Sequence, residues 1–177
     1  MKIAIHTLIG HYNYGCILQA YALQTTLERM GHNVTVINRR ENKPHLKLLL
    51  QRCKSVLKDS IKRYILGNKR VAIGNPYDYF YFQRYIDFSF LKEFAFSKLH
   101  YSKLFRSSSS LSDFVQKEQF DAYIVGSDQV WREEYAPDII DSFFGYLPLE
   151  NDAIRISYAA SFGTTELPIS KEKLPHC

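Results

Sequence analysis

Cysteine is scarce in this chain: three residues, Cys16, Cys53 and Cys177, stand far apart among 177. Their odd number and wide spacing argue against a disulfide framework. They are read as free thiols of a reducing compartment. No CxxC pair, no HExxH and no carboxylate cluster suggests a metal site, so none is expected. Long apolar runs are missing too. No uncharged stretch approaches the ~20 residues that a membrane-spanning helix requires. The N-terminal Met-Lys-Ile-Ala-Ile-His has neither an apolar signal-peptide core nor a cleavage site, and is read as the start of a cytoplasmic protein. GxGxxG and the phosphate-loop lysine motif are lacking as well, which removes the dinucleotide fingerprint and the P-loop ATPases.

The composition is that of a globular chain with one substantial core: 46% hydrophobic and 23% charged, with net charge +5. The charge is unevenly spread. Residues 45–70 hold eight Lys or Arg against the single acid Asp59, a net +7. Leu46, Leu49, Cys53, Val56, Leu57, Ile61 and Ile65 recur there at helical spacing. The stretch is read as a basic amphipathic helix ending near Gly67-Asn68. Three roles fit it: a solvated face over a core helix, a peripheral contact with an anionic membrane, or nucleic-acid binding. From Tyr77 to Phe105 the chain holds twelve aromatics. Phe82, Tyr85, Ile86 and Phe90 suit one helical face, so most of these rings are read as core rather than as base-stacking platforms. No nucleic-acid signature accompanies them, and no nucleic-acid partner is expected. The whole of 45–106 is read as a basic and aromatic helical insertion within a single domain over 1–177.

Outside that insertion, strands and helices alternate. Lys2 to Thr7 reads as a buried strand. Cys16, Ala20, Leu23, Leu27 and Met30 line one face of a following helix, with Gly31 at the cap glycine position. The β-branched Val34 to Asn38 is a second strand. Leu111 to Gln119 suits a short helix after the serine run 107–110, and Ala122 to Val125 a buried strand. Residues 139–147 are read as a further extended segment, and Ile154 to Ala160 as the last strand. This alternation predicts an α/β fold with an open, mostly parallel Rossmann-like sheet. In such sheets ligands bind beyond the carboxyl ends of the strands. Three loops meet that criterion: 10–15, 126–131 and 161–163.

Each loop carries candidate chemistry and a plain structural alternative. GHYNYG (10–15) opens a helix, where backbone amides suit an anion; its glycines equally suit a tight turn. Asn13 is the side chain favoured there to read a hydroxyl or a phosphate. In GSDQVW (126–131), Gly126 lets the chain turn, and Ser127, Asp128 and Gln129 project from the strand end. Asp128 suits a general base on a sugar hydroxyl or a cap on the next turn. Trp131 suits a sugar-stacking platform or a core position. Ser161 and Gly163 of ASFG (160–163) suit hydroxyl donation to a ligand or a simple strand-end turn.

Taken together, NYGCILQAYALQTTLERMGHNVTVIN (13–38), FDAYIVGSDQVW (120–131) and RISYAASFG (155–163) resemble successive blocks of the polysaccharide pyruvyl transferase family. FYFQRYIDFSF (80–90) fits the segment before the central block. The resemblance implies two nucleotide-fold halves facing a cleft, as in the two-domain glycosyltransferases, of which this chain is the N-terminal one. It also implies transfer of pyruvate from phosphoenolpyruvate, a donor substrate rather than a cofactor, to a sugar or lipid-linked saccharide of a capsule or exopolysaccharide. On this basis Asp128 is the acid/base candidate. Asn13, Gly15, Gly126, Ser127, Gln129, Trp131, Ser161 and Gly163 are substrate-binding candidates. In the family the arginines and histidines expected to hold phosphoenolpyruvate lie in the C-terminal half, which these 177 residues do not include. The place expected is cytoplasmic, and peripheral contact on the inner membrane face stays one of the three roles open to 45–70.

Overall fold

A computed structural model of the chain describes residues 1–8, 13–40, 53–54, 56–67, 89–136, 138–148, 151–167 and 169–173. Strand β1 (Lys2–His6) leads to helix α1 (Tyr14–Arg29), strand β2 (Asn33–Arg39) and helix α2 (Ser89–Lys98). Strand β3 (Tyr101–Phe105), helix α3 (Ser108–Glu118), strand β4 (Ala122–Gly126) and strand β5 (Ile154–Tyr158) complete the sheet unit. The five strands form one sheet in the order β3-β2-β1-β4-β5, and every pairing is parallel. The fold is therefore α/β and Rossmann-like. The chain steps outward from β1 through β2 to β3, then returns to lay β4 on the other side of β1. The strand order thus reverses between β1 and β4, the topological switch point of such a sheet.

Alternate residues build the two faces, as the strand period of two requires. Ala4, Ile37 and Tyr123 pack with Phe105, Leu111, Val115, Phe120, Tyr146 and Leu147 in one buried cluster, which α3 covers. A chain of aromatic contacts runs through it: Phe105 to Phe114 to Phe120 to Tyr123 to Tyr146, and on to His6. Ile3, Ile5, Val34 and Val36 alternate with that set and are also buried. Helix α1 touches α2 through Tyr21 and Phe94, whose rings meet edge-on at 5.2 Å. The buried amide of Gln24 ties α1 to the turn before β3: its Nε2 donates to the Lys98 carbonyl at 3.0 Å, and its Oε1 accepts from the His100 N–H at 2.8 Å.

Four sequence expectations are corrected here. The buried face of α1 is Ile17, Ala20, Leu23 and Gln24, one position round from the expected stripe. Cys16 is only half-buried and Met30 is 65% exposed. Met30 caps the helix as it leaves the sheet. Gly31, at φ 87°, closes the end: its N–H reaches the Glu28 carbonyl and the His32 N–H reaches that of Leu27. The second correction is β3. The sequence pattern groups 91–105 with the 45–106 insertion, but Leu91 and Ala95 are buried, and Tyr101–Phe105 pairs with β2. Aromatic residues serve strands as readily as helices, which masks the strand.

Third, 139–147 is not extended. Asp138 Oδ1 accepts from the Ile140 N–H at 3.1 Å and starts a 3-10 turn, Ile140–Phe143. A buried ion pair holds that turn to the sheet: Arg39 Nε lies 2.7 Å from Asp141 Oδ2. Fourth, β5 stops at Tyr158, because Ala159 turns to φ 51°.

The chain divides into two compact units, Met1–Asn42 with Leu91–Cys177 and, separately, Lys43–Phe90. In the second unit, helical residues 56–60 continue into a π-helical turn, Ile61–Ile65, which stops at Gly67 with φ 65°. The expected helix end near Gly67 is thus observed. Leu46, Leu49, Phe82, Tyr85 and Ile86 lie outside the described residues, and Phe90 is exposed. Among the described residues no helix is long and apolar enough to cross a membrane.

Candidate functional site

The loops that leave β1 and β4 enclose a cavity of about 440 Å³ at the switch point. Leu8, Asn13, Gly15, Cys16 and Gln19 line it from the β1–α1 side, and Ser127, Asp128, Gln129 and Tyr135 from the β4 side. Five sequence candidates, Asn13, Gly15, Ser127, Asp128 and Gln129, therefore share one pocket although more than a hundred residues separate the two groups.

The β4 loop is held in an unusual backbone shape. Ser127 has φ 153° and Gln129 φ 60°, regions that side-chain-bearing residues seldom adopt. Such strain persists only where surrounding contacts enforce it, and it concentrates at functional sites. Here those contacts come from the third loop. Ser161 Oγ donates to Asp128 Oδ1 at 2.6 Å and accepts from the Gln129 N–H at 3.1 Å. The Ser161 carbonyl accepts from the Trp131 N–H at 3.2 Å. Gln129 Nε2 adds a long contact to Asp128 Oδ2 at 3.4 Å.

Two glycines allow this closeness. A Cβ on Gly126 would come 2.5 Å from the Tyr158 carbonyl oxygen of β5. A Cβ on Gly163, already at φ 65°, would come 2.3 Å from Gln129 Cγ. Gly126, Ser161 and Gly163 thus shape the loop from behind rather than line the cavity.

Asp128 is the exposed carboxylate of this arrangement. The Ser161 hydroxyl, then the Gln129 amide, hold it below the usual carboxylate range, so it is ionised at neutral pH. Among the described lining residues it is the one charged group, set among amides, a hydroxyl, a thiol and a phenol. Burial pushes the Cys16 thiol up, so it stays protonated. The N-terminus of α1 adds a positive dipole end near the same space. Asn13, besides lining the cavity, caps that helix: its Oδ1 accepts from the Cys16 N–H at 3.3 Å.

Trp131 stands apart from the cavity. Its ring stacks on Phe143 with centroids 5.4 Å apart and also meets Phe162 at 5.4 Å. Its Nε1–H donates to the Ser142 carbonyl at 3.2 Å. The indole is thus engaged by protein on these contacts. Trp131 clamps the β4 loop to the 3-10 turn, and through Asp141 that clamp reaches Arg39 on β2.

The sequence model for polysaccharide pyruvyl transferases matches residues 13–175. The chain belongs to this family. The matched region takes in every residue that lines the cavity except Leu8, which precedes it. No curated protein and no solved structure matches the chain.

Sequence reasoning missed four lining residues: Leu8, Cys16, Gln19 and Tyr135. Gln19 carried a signal, being an amide three residues after Cys16 at the start of a largely apolar helix. Its Oε1 accepts from the Thr7 hydroxyl at 3.4 Å, which fixes the amide against β1. Tyr135 carried none. It reaches the cavity through the turn after Trp131, where the Arg132 guanidinium lies 4.9 Å from its ring centre.

Proposed function

We propose that this cavity holds the acceptor sugar of a pyruvyl transfer from phosphoenolpyruvate, with Asp128 as the group that receives the hydroxyl proton. The ionised, exposed Asp128 carboxylate at the switch point carries the reading. A carboxylate with amides around it suits a sugar hydroxyl, which needs an acceptor for its proton and donors for its other oxygens. The highly anionic phosphoenolpyruvate would meet repulsion from Asp128. Its binding groups belong elsewhere, on a face that supplies cations.

In the reaction, a sugar hydroxyl oxygen attacks C2 of phosphoenolpyruvate. The C=C electron pair takes a proton at the methylene carbon, which becomes methyl. A second hydroxyl of the same sugar then attacks C2, its proton passing to the departing phosphate as the C–O bond to phosphate breaks. The products are a pyruvate ketal and inorganic phosphate. Asp128 aligns the attacking hydroxyl and takes its proton late, as its low basicity requires. Ser161 and Gln129 fix the carboxylate. In this reading Asn13, Ser127 and Gln19, which line the cavity, bind the remaining hydroxyls.

The test is an assay of the protein, at the length its gene encodes, with phosphoenolpyruvate and pyranose oligosaccharides. Phosphate release is followed together with acceptor mass. Release matched to a pyruvate ketal, reduced on the order of 10²-fold in Asp128→Asn, supports the reading. An unchanged rate in that variant removes Asp128 from the mechanism. Hexose transfer from a nucleotide sugar would replace the reading with glycosyl transfer. An acceptor that binds but is never modified would replace it with a glycan-binding role.

A further inference from the structure

Within the Lys43–Phe90 unit, the described helix carries an exposed apolar arc with cations behind it. Val56, Leu57, Ile61, Tyr64, Ile65 and Leu66 are all exposed, with Leu57 at 64%, Tyr64 at 74% and Ile65 at 75%. At about 100° per residue, Val56, Leu57, Ile61 and Tyr64 fall within an arc of about 140°. The wider π turn at Ile61–Ile65 brings Ile65 into the same arc. On the same scale Lys54, Lys58 and Lys62 begin about 20° beyond one edge of the arc and run round to the opposite face, and Asp59 is the one acid of the described helix. This segment sits within the stretch of net +7, while the rest of the chain sums to −2 against the overall +5.

A helix of this form has two unmet demands at once. Aliphatic side chains left in water are unfavourable relative to burial, and clustered lysines seek a negative surface. Nucleic acid would answer the charge but leave the aliphatic arc in water. An anionic bilayer answers both: the arc enters the boundary between headgroups and acyl chains, and the lysines extend to the lipid phosphates.

We infer that the helix at 56–65 is a docking surface for an anionic membrane and lies in its interfacial plane. The inference is independent of the reaction proposed above. Were the acceptor carried on a lipid, the same surface would bring the enzyme to it.

The experiment is flotation of the full chain with phosphatidylcholine vesicles, with and without phosphatidylglycerol. Binding is expected with the anionic lipid, and release at ~1 M salt, where the Debye length falls to ~3 Å. Each Lys near the surface contributes about 1 kcal/mol, or about 5-fold in partition. Replacing Lys54, Lys58 and Lys62 together by Gln should therefore lower binding on the order of 10²-fold. Leu57→Ser with Ile65→Ser should lower it as well, through the apolar term. All five side chains are exposed, so the thermal transition of the sheet unit should not move in either variant. The inference is overturned by equal binding to neutral vesicles, by salt-insensitive binding, or by no binding. It is also overturned if the chain ignores vesicles but binds RNA, or if the helix proves to be a contact between copies, shown by a dimer that Leu57→Ser dissolves.

Discussion

Helix α1 and the helix at 56–65 carry much the same kind of sequence, leucines and isoleucines at helical spacing with polar residues between, yet they meet opposite ends. On α1 the stripe of Ile17, Ala20 and Leu23 is buried against the sheet, and Gln24 joins it by satisfying both ends of its amide. At 56–65 the corresponding residues face solvent. The difference does not lie in hydrophobicity. A parallel sheet offers a neighbouring apolar face to each crossover helix. The Lys43–Phe90 unit gives this helix no such face among the described residues. An amphipathic pattern therefore states that a face will be covered, and not by what.

The comparison can be tested first with matched truncations. Leu111→Ala, in the core beneath α3, should cost about 2–5 kcal/mol in denaturant unfolding. Leu57→Ala should stay within about 0.5 kcal/mol. Comparable losses at the two positions would mean that the 56–65 helix is packed in solution and that the two units do not differ as described.

A second test uses pH. His6 is buried at the end of β1, stacked on Tyr146 at 5.6 Å, and its Nδ1 has no hydrogen-bond partner. Burial, reinforced by the Arg39 charge, lowers its pKa from 6.5 to about 4. The unfolded chain thus binds a proton that the folded chain rejects. The neutral ring's contribution is complete above pH 6.5 and is lost progressively as the pH falls toward 4. The gap corresponds to ~3 kcal/mol. Urea midpoints measured across this range should fall for the native protein and flatten in His6→Phe. An identical slope in the variant would assign the loss to other groups. The 56–65 helix holds no histidine, so vesicle binding through it should not follow this titration.

The smallest effect concerns the rim of the sheet unit. Ser161→Ala removes the strongest hydrogen bond to Asp128 and returns its carboxyl toward the ordinary range. The acid limb of the kcat/KM profile for pyruvyl transfer should move to higher pH, while the rate on the neutral plateau changes less than in Asp128→Asn. A limb that stays in place would separate Asp128 from the titration that limits the reaction.

Much of the site is legible in the sequence, because it rests on local chemistry. GSDQVW must turn at Gly126, and a carboxylate two residues past a buried strand has to emerge at the sheet edge. Parallel strands then place every such loop on one edge, which is why Asn13 and Asp128 are expected together. Less legible are Gln19 and Tyr135, whose part depends on which way a helix face and a turn point once packed. The same holds for Trp131. An indole near a strand end suits stacking on sugar or on protein, and only the neighbouring Phe143 and Phe162 decide for protein.

The order of strands and helices along most of the chain, the switch-point loops and the basic stretch at 45–70 were determined by the sequence alone. Periodicity, glycine placement and charge act over a few residues at a time. The tertiary structure alone decided that 101–105 joins the sheet as its edge, that 139–147 folds into a 3-10 turn and that Arg39 lies against Asp141. It also decided that Ser161, rather than a helix end, is what Asp128 holds. The 3-10 turn starts locally at Asp138, but the sheet edge, the Arg39 pair and the Ser161 contact join partners 33 to 102 residues apart along the chain. No local pattern encodes such pairings; they arise when packing brings complementary groups together and excludes the water that would otherwise satisfy them.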